Sequence, residues 1–156
     1  MIKLLNALFR LSLKQGLVVV LAWLMFIVWH IAISYLPYRW WRAALTRRSD
    51  IQPQANIHVR AMAIVSLSEK AARHHFVKIN CLRRCMVQKQ LLRFHNINSQ
   101  LSIGVKKEHN KFAAHCWLVV NNHIINDSIA ETSRYVELQR LQPGDQQSAD
   151  IFKNMK

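Results

Sequence analysis

Glycine and proline are scarce, with three of each in 156 residues. That scarcity excludes collagen-like, low-complexity and linker-dominated chains, which are rich in both. Cysteine is nearly as rare, and its count of three is odd. A secreted disulfide framework normally carries an even number, so a reducing compartment, the cytoplasm, with at least one free thiol is the simpler reading. Acidic residues are also few: eight Asp and Glu stand against 22 Lys and Arg, for a formal charge of +14. The basic residues are spread along the chain, with no zinc-finger spacing and no RNP-type motif. Nucleic acid is therefore not an expected partner, and the charge points to an anionic membrane surface or an acidic peptide. No solenoid-type repeat is present. What is present is apolar: 51% hydrophobic residues, enough for the core of one compact domain with an appendage.

The appendage is the N-terminal segment 1–45. Residues 17–36, "LVVVLAWLMFIVWHIAISYL", are apolar almost without interruption. About 20 such residues are long enough to cross a bilayer as a helix. Trp23, Trp29, Tyr35, Tyr38, Trp40 and Trp41 supply aromatics of the kind found at membrane interfaces. Lys3, Arg10 and Lys14 precede the run; Arg39, Arg42, Arg47 and Arg48 follow it, a denser cluster that favours a cytoplasmic C-terminal side. No small-x-small site precedes Pro37, which argues against a cleaved signal peptide. Length alone leaves two readings open: a membrane-associated helix, or a soluble helix packed on the domain.

Residues 46–56, polar and containing Pro53, read as a linker. The main domain spans 57–140, and 141–156 reads as a flexible tail. A helix fits 57–75, ending in His74 and His75. Adjacent helical residues point about 100° apart, so these two imidazoles read as a basic helix end, not a metal pair. Asn80 is a good N-cap, which makes Cys81 the first residue of the next helix. The free N–H groups and the positive dipole end favour a thiolate there, and Arg83 and Arg84 push the same way. Leu82, Cys85, Met86, Val87, Leu91, Leu92 and Phe94 surround this helix with apolar surface, so it should be buried. Asn96–Asn98 stop it without a glycine.

Three strands follow: 99–107, 112–120 and 123–128, the last two joined by Asn121-Asn122. His115 lies on one arm of that hairpin and Asp127 on the other. A plain two-residue turn pairs Val120 with His123 and leaves Asp127 facing away from the imidazole. A three-residue loop pairs Val119 with His123 and sets His115 opposite Asp127, so that loop or an equivalent bulge is expected. Cys116 follows His115, and alternation implies that only one of the two shares a site with Cys81. The expected constellation is Cys81 as nucleophile, His115 as proton carrier and Asp127 as the imidazole's anchor, with the Cys81 N–H helping to bind an oxyanion. This chemistry calls for no cofactor and no metal.

The order Cys81-Leu82, Leu101 to Val105 ("LSIGV"), Phe112 to Trp117 ("FAAHCW") and Asn126-Asp127 resembles the transglutaminase-like B2 proteins of lasso-peptide biosynthesis. The similarity covers roughly residues 78–135, with a looser likeness in the N-terminal part ending "LPYRWW". The resemblance implies an α+β, papain-like fold: a catalytic helix on a small antiparallel sheet, here with an apolar N-terminal helix. It implies a Cys-His-Asp protease that removes the leader from a ribosomally made precursor before an ATP-dependent macrolactam cyclase closes the ring. The N-terminal third is too short and apolar for a fused recognition domain, so a separate leader-recognition protein is expected as a partner. The sequence departs from the family at Asn96-Ile97-Asn98, often Gly-Ile-Pro; at Asn121-Asn122, often Asp-Gly; and at Cys116, often Ala.

Three other readings stay open at this level. Cys81, Cys85 and either His115 or Cys116 are candidate zinc ligands, though the adjacency of His115 and Cys116 makes the geometry awkward. A transglutaminase-like acyl transferase uses the same triad and thioester. A non-catalytic membrane-associated adaptor needs His115 and Asp127 only for packing.

Overall fold

Ser12 opens the first helix with a capping box: its hydroxyl accepts from Gln15 N–H at 3.4 Å, and Gln15 Oε1 accepts from Ser12 N–H at 3.2 Å. This helix, α1, runs Leu13–Tyr35 and stops ahead of Leu36-Pro37, where proline disfavours a helical predecessor. The computed structural model describes residues 12–46, 56–108 and 111–138. Most of the expected linker and all of the expected tail lie outside these residues.

After Pro37 come α2 (Tyr38–Thr46), α3 (Ile57–Arg73) and α4 (Cys81–Phe94). The strands are β1 (Gln100–Glu108), β2 (Lys111–Val120) and β3 (His123–Ile124), followed by the short α5 (Ile129–Thr132) and β4 (Val136–Leu138). All pairings are antiparallel, in the order β3-β2-β1-β4. The chain is α+β, as the family resemblance implied.

α4 is the central element. Its Leu82, Cys85, Val87, Leu91 and Leu92 have no exposed surface, and each fully buried Leu or Val is worth roughly 1.5–3 kcal/mol. One side of α4 meets α1 and α3, the other meets β1 and β2. Its buried Gln88 and Lys89 are bonded: Gln88 Nε2 donates to Ser68 Oγ at 3.0 Å and Glu69 Oε1 at 2.7 Å, and Lys89 Nζ to the Ser99 carbonyl at 2.7 Å.

α1 shares this core through Val19, Ala22, Phe26 and Ile33. His75 helps to fasten it. The ring accepts from Val77 N–H at Nδ1, so its proton sits on Nε2 and is donated to the Trp23 carbonyl at 3.2 Å. The expected helix over 57–75 ends at Arg73, and His75 is a docking residue between Trp23, Phe26 and Phe76 instead of part of a basic helix end.

Every non-glycine residue with positive φ among the described ones is an asparagine: Asn56, Asn96, Asn121 and Asn122. Asparagine tolerates the left-handed region because its short amide bonds locally. Asn96, at φ 57°, ends α4 while Ile97 N–H returns to the Leu92 carbonyl at 2.8 Å. Asn121 (φ 48°) and Asn122 (φ 64°) form a plain two-residue turn, with Val120 paired to His123 and Val119 to Ile124. The three-residue loop expected from the His115–Asp127 argument is not formed. Both central residues being asparagine explains why: the tighter turn, whose twist suits the strands, is accessible without glycine.

Asn122→Val is expected to cost about 1–2 kcal/mol in urea unfolding, the penalty for a branched side chain in the left-handed region, while Asn122→Gly stays neutral or gains stability. Equal stabilities for the two variants argue against this turn.

Candidate active site

Asn80 sits in extended backbone and accepts from Arg83 N–H at 2.9 Å, so Cys81 is the first helical residue of α4. Arg83 does not point at the sulfur. Its guanidinium donates to the Lys78 carbonyl at 2.8 Å and to Ser34 Oγ on α1 at 3.1 Å. Arg84 turns to Asp127 Oδ2 at 3.3 Å and Glu69 Oε1 at 3.7 Å. The expectation that both arginines directly favour a Cys81 thiolate is corrected: each binds elsewhere, and other groups stabilise the sulfur.

Those groups become available because β3 is short. Ile125 N–H still reaches the Leu118 carbonyl at 3.0 Å, but Leu118 N–H donates at 2.8 Å to the side chain of Asn126 in place of a strand carbonyl. The Asn126 amide nitrogen is held at 2.8 Å by Gln88 Oε1 and lies 3.2 Å from Cys85 Sγ. Strand 123–128, as expected from sequence, therefore ends at Ile124, and the chain bends at Asn126-Asp127. That bend, not a shifted register, brings Asp127 to His115. The two are 2.6 Å apart, Nε2 to Oδ2, despite the plain turn.

The bend also leaves the edge of β2 open beyond Leu118. Backbone groups alternate along a strand, so those of Cys116 face the same open edge as those of Leu118. α4 fills it. Cys85 Sγ donates to the Cys116 carbonyl at 3.3 Å, and the Cys116 N–H bonds Cys81 Sγ. The Cys116 thiol and the His115 ring both hydrogen-bond the same sulfur. Strand alternation thus misleads here: both neighbours, the buried thiol and the imidazole, act on one sulfur at the unpaired edge of β2.

Nε2 of His115 is taken by Asp127, which leaves Nδ1 for Cys81. The electrostatics follow from these contacts. Hydrogen bonding from the Cys116 thiol, then from His115 and the Cys116 N–H, outweighs burial and brings Cys81 down to about 4. The bond to Cys81, then that to Asp127, outweighs burial and pushes His115 up to about 9. Burial pushes the Cys116 thiol well above the usual range, so it remains a neutral donor. Near neutral pH the resting pair is thiolate and imidazolium.

Two rings wall the imidazole: Tyr135 at 5.1 Å and Trp117 at 6.1 Å between centroids. Gly104 pairs with His115 across β1 and β2. A Cβ there meets Tyr135 Cβ at 2.6 Å and the Trp117 ring at 2.8 Å, so only glycine lets both rings close in. Sequence reasoning missed the roles of Arg84, Asn126 and Tyr135. Tyr135 precedes β4, a strand too short to read from periodicity; the polar Asn126 beside Asp127 was the available signal.

Cys81, His115 and Asp127 are brought together; Cys85 packs behind them. Among the described residues no group of three His, Cys, Asp or Glu side chains is arranged to hold a metal ion. A helix-borne thiolate facing a strand-borne imidazole anchored by a carboxylate is the arrangement that nucleophilic thiol chemistry requires. The chain belongs to the transglutaminase-like superfamily, whose sequence profile matches residues 23–140. That superfamily includes cysteine peptidases and acyltransferases. No curated protein and no solved structure matches the chain.

Two measurements test the site. The rate of Cys81 alkylation by iodoacetamide is expected to rise through a midpoint near 4, not near the ordinary thiol value of 9.0, because only the thiolate reacts. In His115→Ala the midpoint moves upward; an unchanged midpoint removes the imidazole from the site. Asn126→Ala is expected to cost about 1–3 kcal/mol in urea unfolding, since Leu118 N–H and Gln88 lose a buried partner.

Proposed function

We propose that this protein is a cysteine peptidase that cuts the leader from a ribosomally made lasso-peptide precursor. The hydrogen-bonded string Cys81–His115–Asp127 carries the reading, since it supplies a charged nucleophile, a proton donor and an anchor in one line. The likeness of Cys81-Leu82, Leu101–Val105, Phe112–Trp117 and Asn126-Asp127 to the lasso leader peptidases supports the substrate.

In this reading the Cys81 thiolate attacks the scissile carbonyl, and the oxyanion is met by the Cys81 N–H at the open first turn of α4. The tetrahedral adduct collapses as the proton on His115 Nδ1 passes to the leaving amine. A thioester of Cys81 with the leader remains. His115, now neutral, takes a proton from water, whose oxygen attacks the thioester and releases the leader acid. Asp127 keeps Nε2 protonated and the ring oriented throughout. Arg84 fixes the same carboxylate oxygen from the other side.

A separate leader-recognition protein delivers the precursor, and the freed core amine passes to an ATP-dependent macrolactam cyclase. Both steps place the protein in the cytoplasm, where thiols stay reduced.

The test is mass spectrometry of a precursor incubated with this protein and its recognition partner. The expected product is a leader with a free carboxylate. An amide-linked adduct in its place establishes acyl transfer to an amine. Cys81→Ala abolishes cleavage with the fold intact, and Asp127→Asn lowers kcat by about 10⁴-fold through the wrong tautomer. Full cleavage by Cys81→Ala sinks the mechanism.

A further inference from the structure

α1 is apolar on nearly its whole circumference, which ordinarily marks a helix buried all round. Yet only one side of it is covered. At about 100° per residue, Val19, Ala22, Phe26 and Ile33 fall together on the side turned to α3 and α4. Leu13, Leu17, Val20, Leu24, Val28 and Ile31 line the opposite side and are 47–89% exposed. The bare stripe is about 100° wide and runs the length of the helix.

In sequence, the charge flanking this helix has one sign. Residues 1–49 contain no Asp or Glu and seven Lys and Arg: Lys3, Arg10, Lys14, Arg39, Arg42, Arg47 and Arg48. Half of the +14 net charge therefore lies in the first third of the chain. Lys14, next to Leu13, and Arg39, just after Pro37 in sequence, are exposed, as is Trp40 at 66%. Pairing two such stripes in a dimer gathers two sets of like charges against each other. An anionic lipid surface satisfies the apolar face and the cations together.

We propose that α1 lies in the plane of an anionic membrane surface, its Leu13–Ile31 stripe in the acyl boundary and its other face remaining in the protein core. The helix is long and apolar enough to cross a bilayer. Crossing, however, strips Phe26 and Ile33 from the core and breaks the bonds of Trp23 to His75 and of Ser34 to Arg83. Lying flat keeps all of them. The inference stands independently of the peptidase reading.

The test uses the full chain with vesicles of phosphatidylcholine alone and of equal parts phosphatidylcholine and phosphatidylglycerol. Co-sedimentation is expected with the anionic vesicles and much less with the neutral ones. Replacing Leu17→Gln, Leu24→Gln and Val28→Gln together, all exposed and outside the core, is expected to weaken binding at least about 100-fold while circular dichroism is unchanged. Spin labels at 17, 24 and 31, placed one at a time in a Cys81→Ala background, should report equal, shallow depths. A depth greatest at 24 overturns the proposal in favour of crossing. Binding that survives the triple replacement overturns it, as does a lipid-indifferent dimer that the same replacement dissociates.

Discussion

The Asn126 side-chain oxygen takes the Leu118 N–H that a continuing β3 carbonyl would have taken. Two consequences follow from that one substitution of side chain for backbone. The chain leaves the sheet and turns Asp127 under the imidazole. The vacated edge of β2 then presents the Cys116 backbone to α4, whose first and fifth residues, Cys81 and Cys85, occupy it. The amide holds this position because Gln88 grips its nitrogen, and Gln88 is in turn fixed by Ser68 and Glu69 on α3. A buried polar chain of this kind is favourable only when every member is paired, as here. The site is thus secured from the far side of α4.

The charge distribution at the sulfur differs from a simple ion pair. Cys116 stays protonated because it is buried, and it spends that proton on the neighbouring thiolate. A neutral donor from the core and an imidazolium from the open edge therefore share the same anion. Arg84 lies beyond, on Asp127 and Glu69, and so acts on the carboxylate that orients the ring. Helix, strand and bend each contribute one group to this arrangement.

Much of this was legible in the sequence, and the failures have physical causes. The Asn80 cap, the start of α4 at Cys81 and its burial were readable because capping and periodicity are local. The juxtaposition of His115 and Asp127 was readable, but for the wrong reason. Register arguments assume that a strand continues, whereas β3 ends at Ile124 when a side chain replaces its hydrogen bond. The opposition of His115 and Cys116 failed likewise, because alternation governs side chains inside a sheet and this is an open edge. The directions of Arg83 and Arg84 depend on Ser34 and Glu69, which are distant in sequence. For α1, composition alone did not separate a packed helix from a membrane helix; the structure shows a helix packed on one side and bare on the other.

Gly104 has a consequence for what can dock beside His115. Glycine usually provides a hinge, but here the space above its Cα is already filled by Tyr135 and Trp117. The wall beside His115 is closely packed. A flexible chain docking there would give up its own conformational freedom, about 1–2 kcal/mol for each backbone residue that becomes fixed. On the peptidase reading proposed above, such a wall would favour substrates whose docked shape is extended and inexpensive to adopt.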